Sequence, residues 1–187
     1  MADVVPGSLL VASPATLDPN FSRTVVLVLE HAPGGSLGLV LNRPTDVAVA
    51  ETLPRWSEEM SEPAVLFYGG PVEPQAAICL GRSRAGGDPP AFDGWHHVAA
   101  RVGTVDLDGE PGAAGEHLDA MRLFAGYAGW APGQLEGEIA AGGWFVVPSG
   151  DGDAFTAAAK DLWGDVLRRQ PGSLAWVASF PADPALN

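Results

Sequence analysis

The chain has 187 residues, 47% of them hydrophobic and 18% charged, with 10 Lys+Arg against 23 Asp+Glu and a formal net charge of −13. That length suits one domain burying roughly 70% of its unfolded surface, and the composition is globular rather than disordered. The acidic field argues against nucleic-acid backbones and anionic membranes as direct partners.

Residues 8–12, 24–30 and 36–42 are rich in Val and Leu and predict strands, the last two joined by a turn over His31-Ala32-Pro33-Gly34-Gly35. Residues 47–60 predict a short helix limited by Pro54, followed by strands at 65–68 and 75–80. Residues 81–94 read as a polar Gly/Pro-rich loop carrying Arg82 and Arg84. Further strands are predicted over 96–105 and 122–127, with 116–121 open between helix and strand. A helix is predicted from Pro132, with Leu135 and Ile139 on one face and Gly142 and Gly143 ending it. A second runs from a capping Asp153 to Arg169, its buried stripe being Phe155, Ala159, Leu162 and Val166. Strands in a run with uneven, late helices indicate an α+β class in one domain over 1–187, residues 1–6 forming a loose N-terminal tail.

Cys79, the single cysteine, sits in an apolar stretch and reads as a buried, inert thiol, consistent with a reducing cytosol. The N-terminal region carries no basic leader, and the longest strongly apolar run, 25–29, is too short to span a membrane. A cytoplasmic location is therefore expected.

Gly34-Gly35-Ser36-Leu37-Gly38 matches G-x-S-x-G, but a nucleophile elbow needs a strand, a strained turn and then a helix. Here strands flank the motif on both sides, which predicts a hairpin. His96 and His97 are adjacent and no zinc spacing occurs, so no metal site and no cofactor are expected. Arg43, held extended by Pro44, is a candidate anion ligand. The densest constellation is Gly126-Tyr127-Ala128-Gly129-Trp130-Ala131-Pro132-Gly133-Gln134-Leu135-Glu136-Gly137-Glu138. Its glycines permit close approach, its aromatics offer apolar walls, and Gln134 and Glu138 share one side of a helix.

The ordered motifs Gly7-Ser8-Leu9-Leu10-Val11-Ala12, Asp18-Pro19-Asn20-Phe21-Ser22-Arg23-Thr24-Val25, Glu30-His31, Gly38-Leu39-Val40-Leu41-Asn42-Arg43-Pro44 and Tyr68-Gly69-Gly70-Pro71-Val72 precede that constellation. Trp144 and the terminal Asp183-Pro184-Ala185-Leu186-Asn187 follow it. Together they resemble the bacterial YqgE/AlgH family over nearly the whole chain. The resemblance implies an α+β domain with coiled, bifurcated, mainly antiparallel sheets. It also implies alanine as the usual residue at position 36 and no assigned catalytic residues, with some members described as transcriptional regulators on genetic grounds.

The resulting expectation is a regulatory or binding module for a small molecule or protein partner. Its candidate binding residues are His31, Asn42, Arg43, Gly70, Tyr127, Trp130, Gln134 and Glu138. Arg43 with Tyr127 or Trp130 is expected to form one shared pocket. The competing readings are a hydrolase-like enzyme using His31 or Glu138 as base, and a transcriptional regulator acting indirectly rather than on DNA.

Overall fold

The computed structural model describes residues 3–86 and 90–180. The terminal motif 183–187, part of the polar loop and the first two residues of the expected tail lie outside them. Of that tail, Val4 packs against the core.

β1 (Ser8–Ala12) is buried throughout, as are the first four residues of β2 (Val25–Ala32). Both lie inside the sheet and are covered on two faces, which is why their sequences run apolar without alternation. The strand period still sorts them. Leu9, Val11, Val25 and Leu27 enter one core with Phe67, Phe124 and the C-terminal helices, whereas Leu10, Ala12, Val26 and Val28 enter another with Trp130, Leu135 and Trp144.

β3 (Gly35–Val40) closes the expected hairpin on β2. β4 (Pro44–Ala48) then pairs β5 (Val65–Tyr68), and between them the predicted helix divides into α1 (Val49–Thr52) and a 3₁₀ turn, Pro54–Glu59. Pro54 lacks the amide that would continue α1. β6 (Val72–Ser83) is longer than expected, so Arg82 stands on a strand rather than in a loop. The stretch 96–105 is a hairpin, β7 (Trp95–Ala99) and β8 (Val102–Val105), turning at Ala100. The open segment resolves into α2 (Pro111–His117) followed directly by β9 (Leu118–Trp130).

β9 joins the two halves of the coiled sheet. The strand order is β10-β1-β2-β3-β9-β6-β8-β7, β10 being Trp144–Pro148. One end of β9 pairs β6 antiparallel and β5 in parallel, and the other pairs β3. At the change of partner, backbones come too close for a side chain. A Cβ on Gly70 would lie 2.1 Å from the Tyr127 carbonyl carbon, and one on Gly126 2.5 Å from the Gly70 oxygen. Gly126 also holds φ +69°, which glycine adopts without strain.

α3 (Gln134–Ala140) begins two residues later than predicted, after a turn that the Gln134 side chain closes by accepting from the Ala131 amide (3.0 Å). The continuous 153–169 helix is not formed. The chain instead makes 3₁₀ turns at Asp153–Phe155 and Ala159–Asp161, then α4 (Leu162–Arg168), with α5 (Leu174–Val177) after it. The cause is Arg122, a buried guanidinium on β9. It donates to the carbonyls of Ala154 (3.1 Å), Thr156 (3.0 Å), Phe155 (3.3 Å) and Glu62 (2.8 Å) and stacks over Phe67. These bonds tie the 154–156 segment to β9 and to Glu62 and so fix its course there. Burial pulls Arg122 down to about 10, so it stays charged at neutral pH. Asp153 does not cap a helix; it accepts from the Gly150 amide and pairs with Arg169. The predicted stripe is nevertheless buried, and Trp163 ties α4 to β1 through the Ala12 carbonyl (2.8 Å).

Gly70→Ala should cost about 3 kcal/mol or more, because the clash is with backbone that cannot rotate away. Gly34, whose Cβ would meet nothing within 4 Å, serves as the control, and Gly34→Ala should stay within about 1 kcal/mol. Urea unfolding midpoints at constant m-value measure both. Equal effects would contradict the close-approach account.

Candidate functional site

The strand-to-helix constellation builds its geometry around one carboxylate. Trp130 ends β9, Glu138 lies one turn along α3 from Gln134, and β10 brings in Trp144. Glu138 Oε2 accepts both indole N–H groups, from Trp130 at 3.0 Å and Trp144 at 2.8 Å. Its Oε1 accepts from Gln134 Nε2 at 2.9 Å. Buried indoles need an acceptor for their single donor, and a carboxylate can serve both.

Phe21, from the turn after Asp18, completes an aromatic cluster. Its centroid is 6.2 Å from Trp130 and 5.5 Å from Trp144, and the two tryptophans meet edge to face at 6.0 Å. A cavity of about 370 Å³ opens beside these rings, its wall including Ser13, Asp18, Phe21, Trp130, Glu138 and Trp144. Gln134 also borders it, but no Lys, Arg or His does among the described residues.

Ser13 is 5% exposed and its hydroxyl has no hydrogen-bond partner among the described residues. Its amide is satisfied by the Gly143 carbonyl, which also accepts from the Thr16 hydroxyl (3.0 Å). That hydroxyl is an unmet donor and acceptor, but its oxygen is closed off and lies behind the cavity wall rather than on its open surface.

The remaining candidates fall elsewhere. Buried Asn42 accepts from the Val25 amide (2.9 Å) and donates to the Arg23 carbonyl (2.8 Å). Arg43 donates to the Ser22 carbonyl, and its half-burial lowers its pKa by desolvation. Neither lines the aromatic cavity. Both instead hold the 18–24 segment that supplies Asp18 and Phe21 to it. Tyr127 does not line this cavity either: three residues from Trp130 along a strand, it faces the opposite side and packs on the other core. Gly70 is engaged in the backbone contact with Tyr127. Of the residues the sequence singled out, Trp130, Gln134 and Glu138 meet at this cavity, where Ser13 and Asp18, not named as candidates, also line the wall. Phe21 and Trp144 stood in quoted motifs without a role.

His31 Nδ1 lies 2.8 Å from Ser36 Oγ, and its Nε2 lies 3.7 Å from Glu136 Oε1. This has the members of a serine triad but not its surroundings. Ser36 sits in β3 with its backbone registered against His31 on one side and Trp130 on the other, so it stands within a strand and not at the strand-to-helix elbow that exposes such a nucleophile. Elsewhere, burial pushes the Cys79 thiol up to about 12, against an opposing backbone hydrogen bond from Arg122, which keeps it inert. No group of three His, Cys, Asp or Glu able to hold a metal occurs among the described residues. No helix among them is long and apolar enough to cross a membrane.

The AlgH-like family model (DUF179) matches residues 9–175. A UPF0301 protein of Mycobacterium avium is 46% identical over 181 residues, covering 97% of this chain and 90% of the relative. Another, of Streptomyces coelicolor, is 49% identical over 183 residues, covering 97% and 94%. Among solved structures, a Corynebacterium diphtheriae protein superposes with a TM-score of 0.91 at 37% identity, over 96% of this chain and 94% of that one. The solution structure of AlgH from Pseudomonas aeruginosa gives 0.68 at 26% identity, over 97% and 98%.

Ser36→Ala should change stability by less than about 1 kcal/mol, and the unmodified protein should take no fluorophosphonate label. Labelling that disappears in the variant would contradict the hairpin account of Ser36.

Proposed function

The chain belongs to the AlgH-like family, and we propose that it is a cytoplasmic regulatory module that works by binding, with its ligand seated in the aromatic cavity. The observation that carries this reading is the framed volume itself: two indoles pinned by the single carboxylate of Glu138, with Phe21 beside them and Asp18 at the rim. An open volume walled by aromatic rings with a few placed polar groups is the usual make-up of a small-ligand site. The volume, about 370 Å³, is at the small end of ordinary ligand pockets. The walls are fixed before binding. Glu138 locks both indoles, and Asn42 and Arg43 hold the segment carrying Phe21. Such preorganisation lowers the ordering cost of association.

Regulation in this reading is indirect. Several arginines that would face a phosphate are already paired: Arg82 and Arg101 share Asp119, and Arg101 also holds Asp151. With a net charge of −13 the protein lacks the basic footprint that duplex binding requires.

A fragment library screened by NMR tests the assignment. Hits should move the indole N–H signals of Trp130 and Trp144, and Ala15→Trp, which fills the cavity from an exposed wall position, should abolish them. Hits that persist in that variant, or that move neither indole, would overturn it.

A further inference from the structure

The chemistry of the wall narrows what it receives. We infer that the cavity takes an organic cation, an alkylammonium or quaternary ammonium group on a small apolar body. This rests on the binding reading given above and adds the sign and class of the ligand.

The charged residues at the wall are Asp18 and Glu138, with no cation bordering the cavity among the described residues. The three donors on Glu138 are neutral N–H groups, so they orient the carboxylate without cancelling its charge. A carboxylate has about four acceptor positions, and Oε1 carries only the one bond from Gln134, so it retains acceptor capacity. Tryptophan and phenylalanine rings attract cations through their quadrupoles, tryptophan most strongly. The field of a chain at −13 raises the local concentration of cations before any contact forms.

An anion would meet two carboxylates and no counter-charge. A neutral apolar ligand would satisfy the rings but leave Glu138 without a complement. The basic cluster of Arg82 and Arg101 is consumed by Asp119 and Asp151 at 2.6–3.2 Å and offers no rival anion site. An ammonium group can arrive on a free amine or on a lysine side chain, and the chemistry of recognition is the same.

Titration at constant ionic strength, read by the Trp130 and Trp144 indole N–H signals, tests the inference. The probes are choline, its neutral isostere 3,3-dimethyl-1-butanol, butyrate, n-butylammonium and Nα-acetyl-lysine amide. Choline should move both signals at a concentration at least tenfold lower than its isostere, and butyrate should move neither. Glu138→Gln keeps an acceptor for the indoles but removes the charge, and it should bring choline and isostere within twofold of each other. Stronger binding of n-butylammonium than of acetyl-lysine amide assigns a free amine, and the reverse order assigns a lysine side chain. If the isostere equals choline, or if Glu138→Gln leaves the preference intact, the cation inference falls while the cavity stands as a binding site. If no probe moves either indole, the cation inference falls; loss of the fragment hits as well removes the cavity reading.

Discussion

One strand serves two halves of the sheet, and it can do so because three glycines let backbones touch. At Gly69, Gly70 and Gly126 any Cβ would lie within 2.5 Å of carbonyl atoms, so β9 changes partner there with nothing between the chains. As far as Tyr127 β9 pairs β6, and β5 at Phe124 and Ala125; from Ala128 it pairs β3 and ends at Trp130. The position of Trp130, and with it the cavity, follows from this crossing. Arg122 provides the second long-range tie, gathering carbonyls from Glu62 and from the 154–156 segment around a single buried charge. Hydrogen bonds to a charged group are individually stronger than neutral ones, and leaving such a group unpaired is costly.

The parts of the fold legible in the sequence are those governed by local pattern. β1 to β3 show as apolar runs because they are covered on both faces, and the His31–Gly35 turn shows through its glycines. The 153–169 segment marks the limit. Its stripe at helical spacing reported which residues are buried, and that was correct for Phe155, Ala159, Leu162 and Val166. It did not report backbone conformation, because the carbonyls answer to Arg122, more than thirty residues away, rather than to the next turn. Similarly, nothing local marks where α2 yields to β9.

The site divides along the same line. Trp130, Gln134 and Glu138 lie within nine residues, the latter two at helical spacing, so their association was readable. Ser13, Phe21 and Trp144 reach the cavity from just past the end of β1, the following turn and β10, and only sheet topology brings them together. Tyr127 was assigned to the same wall as Trp130 although three residues along a strand reverse the face; strand parity was the available signal. Asn42 and Arg43 belong to the site indirectly, through the segment they hold in place.

Glu138 fixes both tryptophans and sets a carboxylate at the cavity wall. Hydrogen exchange of the two indole protons at neutral pH tests this most directly. Both should exchange far more slowly than the indole of exposed Trp176, and Glu138→Ala should release both together. Exchange of Trp130 and Trp144 at the rate of Trp176, or release of one without the other, would contradict the shared carboxylate.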